Sequence, residues 1–206
     1  MAQRDTKAAI LEAAGRHFAR KGYHATAIRD IAADAAIDVK TLYYHWSSKQ
    51  TLFEAVVAAR QAKLERQLDS FMTRTRGMNL GRSIEVMIDT LIPALVADPD
   101  TSRIMLFSMA DFAVEDADWD VRYMPLFIST IRRFVLERTG RRTLPRDFDL
   151  TMLGLINMLV IFCGTRVYQA RVLGIDADSQ AYVDAMKRMA KAALAPQIDL
   201  LAELSD

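Results

Sequence analysis

Residues 36–52 read AIDVKTLYYHWSSKQTL. Three aromatic side chains, Tyr43, Tyr44 and Trp46, crowd around His45 in a chain that holds only nine Phe, six Tyr and two Trp. A short turn, Ala36-Ile37-Asp38, precedes them, and an Asp in this place accepts the free amide hydrogens of a helix start. The pattern predicts a short helix over 39–45 behind that cap, with Leu42 turned inward and Val39, Lys40, Tyr43 and Tyr44 able to point outward.

Working outward, Thr26 is expected to cap a helix over 27–35 with Ile28, Ile31, Ala32 and Ala35 on its inner side. A helix over 6–21 precedes it, capped by Asp5 or Thr6 and striped by Ile10, Leu11, Ala14 and Phe18. Lys21-Gly22 stops that helix, and Tyr23 can fold back on its end. On the other side, Ser47 with Gln50 three residues later reads as the capping box of a fourth helix, with Leu52, Phe53 and Val56 behind it. Two short helices joined by a three-residue turn and braced by a third make a helix-turn-helix unit, whose second helix enters the major groove of DNA.

In that setting Tyr43 and Tyr44 are rigid arms ending in hydroxyls that reach phosphates or bases at little entropic cost. His45 can donate to a phosphate, and Lys49 opens the next helix, where a phosphate meets both an ammonium and helix-terminal amides. The alternative is that the aromatics fill a core. That reading suits Trp46, which would plug the short helix against its neighbours, while Tyr44 fits either.

The segment T-x-I-x-x-I-A-x-x-A-x-I-x-x-x-T-L-Y-Y-H-W-x-S-K-Q-x-L, from Thr26 to Leu52, resembles the DNA-binding head of the tetracycline-repressor (TetR) type of bacterial regulator. The resemblance covers residues 5–57 and includes F-x-x-x-G-Y ahead of the threonine. It implies an all-α subunit of nine or ten helices, with a head followed by a larger ligand-binding and dimerisation body. The division is expected as 1–50 and 51–206. By position, Arg29, Val39, Lys40, Thr41, Tyr43 and His45 fall where relatives touch bases or backbone, and Thr26, Tyr44 and Lys49 where they hold phosphates. Four residues depart from the family pattern: Ala36 for the turn glycine, Asp38 for the serine cap, Trp46 for phenylalanine and Gln50 for glutamate. If position 36 needs a positive φ, alanine there costs on the order of 1 kcal/mol.

The rest of the chain agrees with a helical protein. No stretch alternates as a strand, and helices are expected over about 48–75, 80–97, 101–113, 122–138, 147–173 and 177–195. Pro93 should kink or end the helix that holds it. At 51% hydrophobic and 26% charged, the 206 residues have globular composition. The net charge is +1, yet residues 1–50 carry eight basic and five acidic groups against 19 and 21 in the remainder. That mild excess points a polyanion partner at the N-terminal end. A lone Cys163 forms no internal disulfide. The start MAQRDTKAAI is too polar for a signal peptide, and the apolar run MLGLINMLVIFCG is too short to span a bilayer. A cytoplasmic protein without membrane contact is expected.

Ten of the eleven methionines lie in residues 58–206, and such adaptable side chains suit a cavity for apolar ligands as well as an ordinary core. Candidate lining residues are Met105, Met109, Phe112, Tyr123 and Phe127, with Asp111, Asn157, Arg166 and Tyr168 as polar groups that could orient a ligand. The helix over 147–173 is apolar nearly all round between Leu150 and Cys163, with Gly154 and Gly164 permitting close approach. The next helix places Tyr182, Met186, Met189 and Ala193 on one face. Two such helices per subunit could form a four-helix interface with a two-fold mate, where the resemblance also puts the dimer.

Phosphate-loop, dinucleotide, H-E-x-x-H and paired-cysteine motifs are missing from the sequence, so no enzyme, metal or cofactor is expected. The expected function is a DNA-binding transcriptional regulator, a repressor released from a palindromic operator by an apolar small molecule. The rival is an all-helical carrier or sensor, which would share the body but has no need of Thr41, Tyr43, His45 and Lys49.

Overall fold

A computed structural model of the chain describes residues 3–112 and 123–203. Ten helices and no strand occur among the described residues. They are α1 (Gln3–Lys21), α2 (Ile28–Asp34), α3 (Val39–His45), α4 (Lys49–Arg74), α5 (Leu80–Ala97), α6 (Pro99–Phe112), α7 (Tyr123–Thr139), α8 (Phe148–Gly164), α9 (Arg166–Leu173) and α10 (Gln180–Glu203). The chain divides into two compact units, Met1–Arg66 with Asp100–Ala117, and Gln67–Pro99 with Asp118–Asp206.

The first unit holds α1–α3, the first part of α4, and α6. Its centre is built from Ile10, Ala14 and Phe18 of α1, Ile31 of α2, Leu42 of α3 and Leu52, Phe53 and Val56 of α4, all buried. The i, i+4 stripe anticipated on α1 is therefore the face that packs. The structure moves three of the expected helix starts. The first helix begins at Gln3, so Asp5 and Thr6 lie inside it rather than at its cap. Thr26 does not cap α2: Ala27 stands at that position without a side-chain hydrogen bond. The Thr26 hydroxyl turns back instead and donates to the Gly22 carbonyl at 2.6 Å. At the start of α4 the box is Ser48 with Thr51, not Ser47 with Gln50. The Thr51 amide donates to Ser48 Oγ and the Ser48 amide to Thr51 Oγ1, both at 3.1 Å. Gln50 pairs along the helix with Glu54.

The turn between α2 and α3 closes on Ala36, which takes φ +54°. The Ile37 amide donates to Ala32 O at 3.0 Å and the Ala36 amide to Ala33 O at 3.1 Å. This paired closure of a helix end places a left-handed residue just past the cap, where glycine is the unstrained choice.

In the second unit, α5 and α10 carry much of the core. Ile84, Ile88 and Ile92 of α5 and Tyr182, Met186 and Leu194 of α10 are buried there, with Phe71, Phe134, Phe148, Met152 and Cys163. Pro93 does not end α5, which runs on to Ala97 with Ile92 and Val96 buried on either side of it. The helix expected over 147–173 is two helices, α8 and α9, bent by 83° at Thr165. The Thr165 hydroxyl donates to Ile161 O, and its own carbonyl starts α9 by accepting from the Gln169 amide at 3.2 Å. No single helix among the described residues is long and apolar enough to cross a membrane.

Relieving the left-handed alanine should stabilise the first unit. Ala36→Gly is expected to raise its unfolding free energy by about 0.5–1 kcal/mol, the αL penalty less the extra backbone entropy of glycine. Urea denaturation followed by Trp46 fluorescence in a Trp119→Phe background checks this, and an unchanged or lowered midpoint would contradict it.

Candidate nucleic-acid interface

The Asp38 carboxylate accepts the Thr41 amide at 2.6 Å, which fixes the first turn of α3. That hydrogen bond holds the Asp38 carboxyl below the usual carboxylate range, helped by the Lys40 amide and charge. With the start set, the helix period places Leu42 inward, with no exposed surface, and Trp46 follows it into the core at 6% exposure. Tyr43 and Tyr44 fall on the opposite side at 48% and 76%. Lys40 is exposed beside them, while Val39, Thr41 and His45 are half-buried. The His45 ring meets Tyr44 edge-on at 5.3 Å, and Lys7 Nζ lies 5.4 Å over Trp46.

Behind α3 the neighbouring helices are clamped by charge. Lys21 donates to Asp30 at 2.7 Å, and Arg16 and His17 converge on Asp34 at 3.0 and 3.4 Å. The acids of α2 are thus matched by bases of α1, while Arg29 stays exposed. Lys49 donates to the His24 carbonyl at 3.2 Å and lies 4.5 Å over the Tyr23 ring, so burial pushes its ammonium below the ordinary lysine range. Tyr23 in turn packs on Phe18 and Phe53. An ammonium carries three donors, so the carbonyl does not exhaust Lys49.

These positions sort the DNA-contact candidates. Arg29, Lys40, Tyr43 and Tyr44 offer surface, and Val39, Thr41, His45 and Lys49 offer part of theirs. Thr26 does not, being 2% exposed with its hydroxyl committed to backbone carbonyls. Sequence reasoning missed the Ser48–Thr51 box, since a threonine falls outside the Glu or Gln usually found at its third position, and the Lys21–Asp30 and Arg16–Asp34 pairs, which no local spacing marks.

A profile described as "Bacterial regulatory proteins, tetR family" matches residues 10–56, the segment that builds this surface. That segment carries the pattern of the TetR-family DNA-binding head. The HTH-type transcriptional regulator UidR of Escherichia coli is 30% identical over 87 residues, which is 42% of this chain and 41% of UidR. The chain therefore spans about two-fifths of the length of the curated relatives it matches. Two solved structures extend the likeness in fold. A TetR family transcription regulator from Marinobacter aquaeolei superposes with a TM-score of 0.65 at 22% identity, covering 94% of this chain and 98% of that one. A TetR-like transcriptional regulator from Rhodococcus does so at 0.62 and 19%, covering 95% and 98%. The described residues share with these structures an all-α fold that opens with a helix-turn-helix head.

The body candidates sort differently. Tyr168, expected to orient a ligand, is 67% exposed on α9. Arg166 is turned to the loop before α10, donating to the Ala177 carbonyl and pairing with Asp178. Met105 and Met109 are half-buried on α6, and Asn157 is half-buried on α8 with its Oδ1 enclosed and unpartnered. The side chains of Asp111, Phe112, Tyr123 and Phe127 lie outside the described residues. Tyr182 and Met186, expected at a dimer face, belong to the subunit's own core. Both are buried, and the Tyr182 hydroxyl donates to Phe162 O at 2.8 Å. Met189 packs against the same core, Ala193 is half-buried and Gly164 is buried, whereas Gly154 is exposed.

Two measurements probe this surface. Tyr44→Ala should change unfolding free energy by under about 0.5 kcal/mol, whereas Leu42→Ala should cost about 2–5 kcal/mol. Equal effects in thermal melts would place Tyr44 in the core. The Asp38 carboxyl has a folded pKa below its ordinary 3.8, so its stabilising contribution is complete above that value and disappears as pH falls through the lower one. Asp38→Asn should accordingly flatten the acid limb of stability against pH in that window, and a limb as steep as the wild type's would show that the carboxylate is not what titrates.

Proposed function

We propose that the chain is a ligand-responsive repressor that works in the cytoplasm as a homodimer, reading a near-palindromic DNA operator through α3. The observation that carries this reading is the division of α3 itself: Leu42 and Trp46 are sealed behind it while Tyr43, Tyr44 and Lys40 stand in solvent. A helix serving only as packing would not spend two tyrosines on solvent next to a lysine. Tyr43, with Val39 and Lys40, is assigned to base edges. Arg29, Thr41, Tyr44, His45 and Lys49 are assigned to the backbone. Thr26 is assigned to the turn that holds α2.

Two heads related by a two-fold axis would read half-sites about 34–36 Å apart, and occupancy would exclude polymerase. For the second copy we assign the face of α8 that its own subunit leaves open, Leu150, Gly154 and Ile161, with the neighbouring Tyr168 and Val172 of α9. The methionine and aromatic content of the body supports an apolar ligand. Its binding would shift the population towards head spacings that no longer fit, with α4 as the lever, a coupling of about 1–3 kcal/mol. A carrier without a DNA role would keep ligand binding when α3 is changed.

Selection of duplexes from random DNA by the purified protein, followed by titration of the selected duplex at several salt concentrations, tests the reading. A preferred near-palindrome is expected, with log K falling linearly against log salt at about 0.9 per neutralised phosphate. Lys40→Ala should reduce that slope by about one if it touches a phosphate, or relax specificity at one base pair if it touches a base, and Tyr43→Ala should weaken operator binding about tenfold or more. No preference over random DNA, or a salt-independent affinity, would remove DNA reading from the account.

A further inference from the structure

Gly22 ends α1 with φ +73°, and a Cβ built on it would stand 3.2 Å from Cδ1, 3.4 Å from Cγ and 3.6 Å from Cε1 of Phe107. The Phe107 ring therefore lies directly on the Gly22 backbone. Phe107 belongs to α6, well outside the helix-turn-helix segment but inside the same compact unit.

The peptide it covers is a junction. The Gly22 amide donates to Phe18 O at 2.9 Å, which closes α1. The Gly22 carbonyl accepts the Thr26 hydroxyl at 2.6 Å, and the Thr26 amide donates to Tyr23 O at 3.3 Å. Two residues later α2 begins, and Ala27 gives its start no side-chain cap. The exit direction of α2 thus depends on the turn over 22–26, and α3 is tied to α2 through the Ala36 closure. On another side of the turn Lys49 holds the His24 carbonyl and covers Tyr23. The turn is gripped by α4 and by α6, and at Gly22 the α6 contact is the Phe107 ring against backbone that glycine leaves bare.

We infer that Phe107 is a positioning residue for DNA reading: its ring on the Gly22 backbone fixes the turn that aims α2 and α3. This rests on the DNA-reading function proposed above. It adds that operator affinity depends on a side chain that touches no DNA, and that position 22 disfavours a side chain both by its φ and by the tight approach of Phe107.

Two readouts test it on the full-length protein, using the duplex selected by the wild type, a random duplex of equal length, and Phe107→Ala beside Phe107→Leu. Phe107→Ala is expected to lose operator affinity about tenfold while random-duplex affinity stays within about twofold, because phosphate attraction tolerates a loosened head and base readout does not. Phe107→Leu, which keeps apolar volume on Gly22, should recover part of the loss. Without DNA, hydrogen exchange at the Gly22 and Thr26 amides should accelerate about tenfold in Phe107→Ala, while amides in the middle of α10 exchange as before. If Phe107→Ala does not fold, Phe107→Leu carries the comparison, with smaller changes of the same sign. Unchanged exchange at Gly22 and Thr26, or equal losses on operator and random duplex, would overturn the inference. A wild type that selects no duplex would instead overturn the reading beneath it, and the exchange data would still decide whether the ring holds the turn.

Discussion

The hydrogen bond from the Thr41 amide to the Asp38 carboxylate determines where α3 starts, and the start determines which side chains a partner meets. A helix turns about 100° per residue, so beginning one residue later would swing Leu42 out of the core and turn Tyr43 towards it. Only one phase seats both Leu42 and Trp46, and in that phase Tyr43 and Tyr44 face solvent. The chain tolerates a left-handed Ala36 to reach it, because Ala36 and Ile37 together close the end of α2.

Around that helix the head is fixed by contacts that are individually weak. Exposed ion pairs such as Arg16–Asp34 contribute little stability each. Their effect here is on orientation and charge. Asp30 and Asp34 are both matched by bases of α1, so the surface charge near α3 is set by Arg29 and Lys40 against the Asp38 carboxylate. Lys49 serves the fold, since its ammonium ties the His24 carbonyl and its charge rests on Tyr23.

The body corrects a simple equation of apolar stripe with partner surface. Tyr182 and Met186 form a regular stripe on α10, and the subunit's own core, α5 and α8 included, covers it. Among the described residues of the second unit, most large apolar side chains left in solvent lie on α8 and α9, Leu150, Tyr168 and Val172 among them. A stripe on a helix says that something covers it. It does not say whether that is the same subunit or another.

By itself the sequence determined the all-α class, the position and length of α3 and its Asp38 cap, because helix periodicity and capping follow from interactions within four residues along the chain, and it marked Ala36 as strained only if a positive φ is needed there. It also placed the side chains that α3 turns to solvent, Lys40, Tyr43 and Tyr44, since these follow from the phase of one short helix. Tertiary structure alone decided that Thr26 turns inward, that α8 and α9 part at Thr165, that Pro93 is carried within α5, that α10 faces its own core, and that Phe107 lies on Gly22. Most of those outcomes depend on pairings between distant segments, which leave no periodic mark on either partner, while Thr26 chooses between two local partners, the start of α2 and the Gly22 carbonyl.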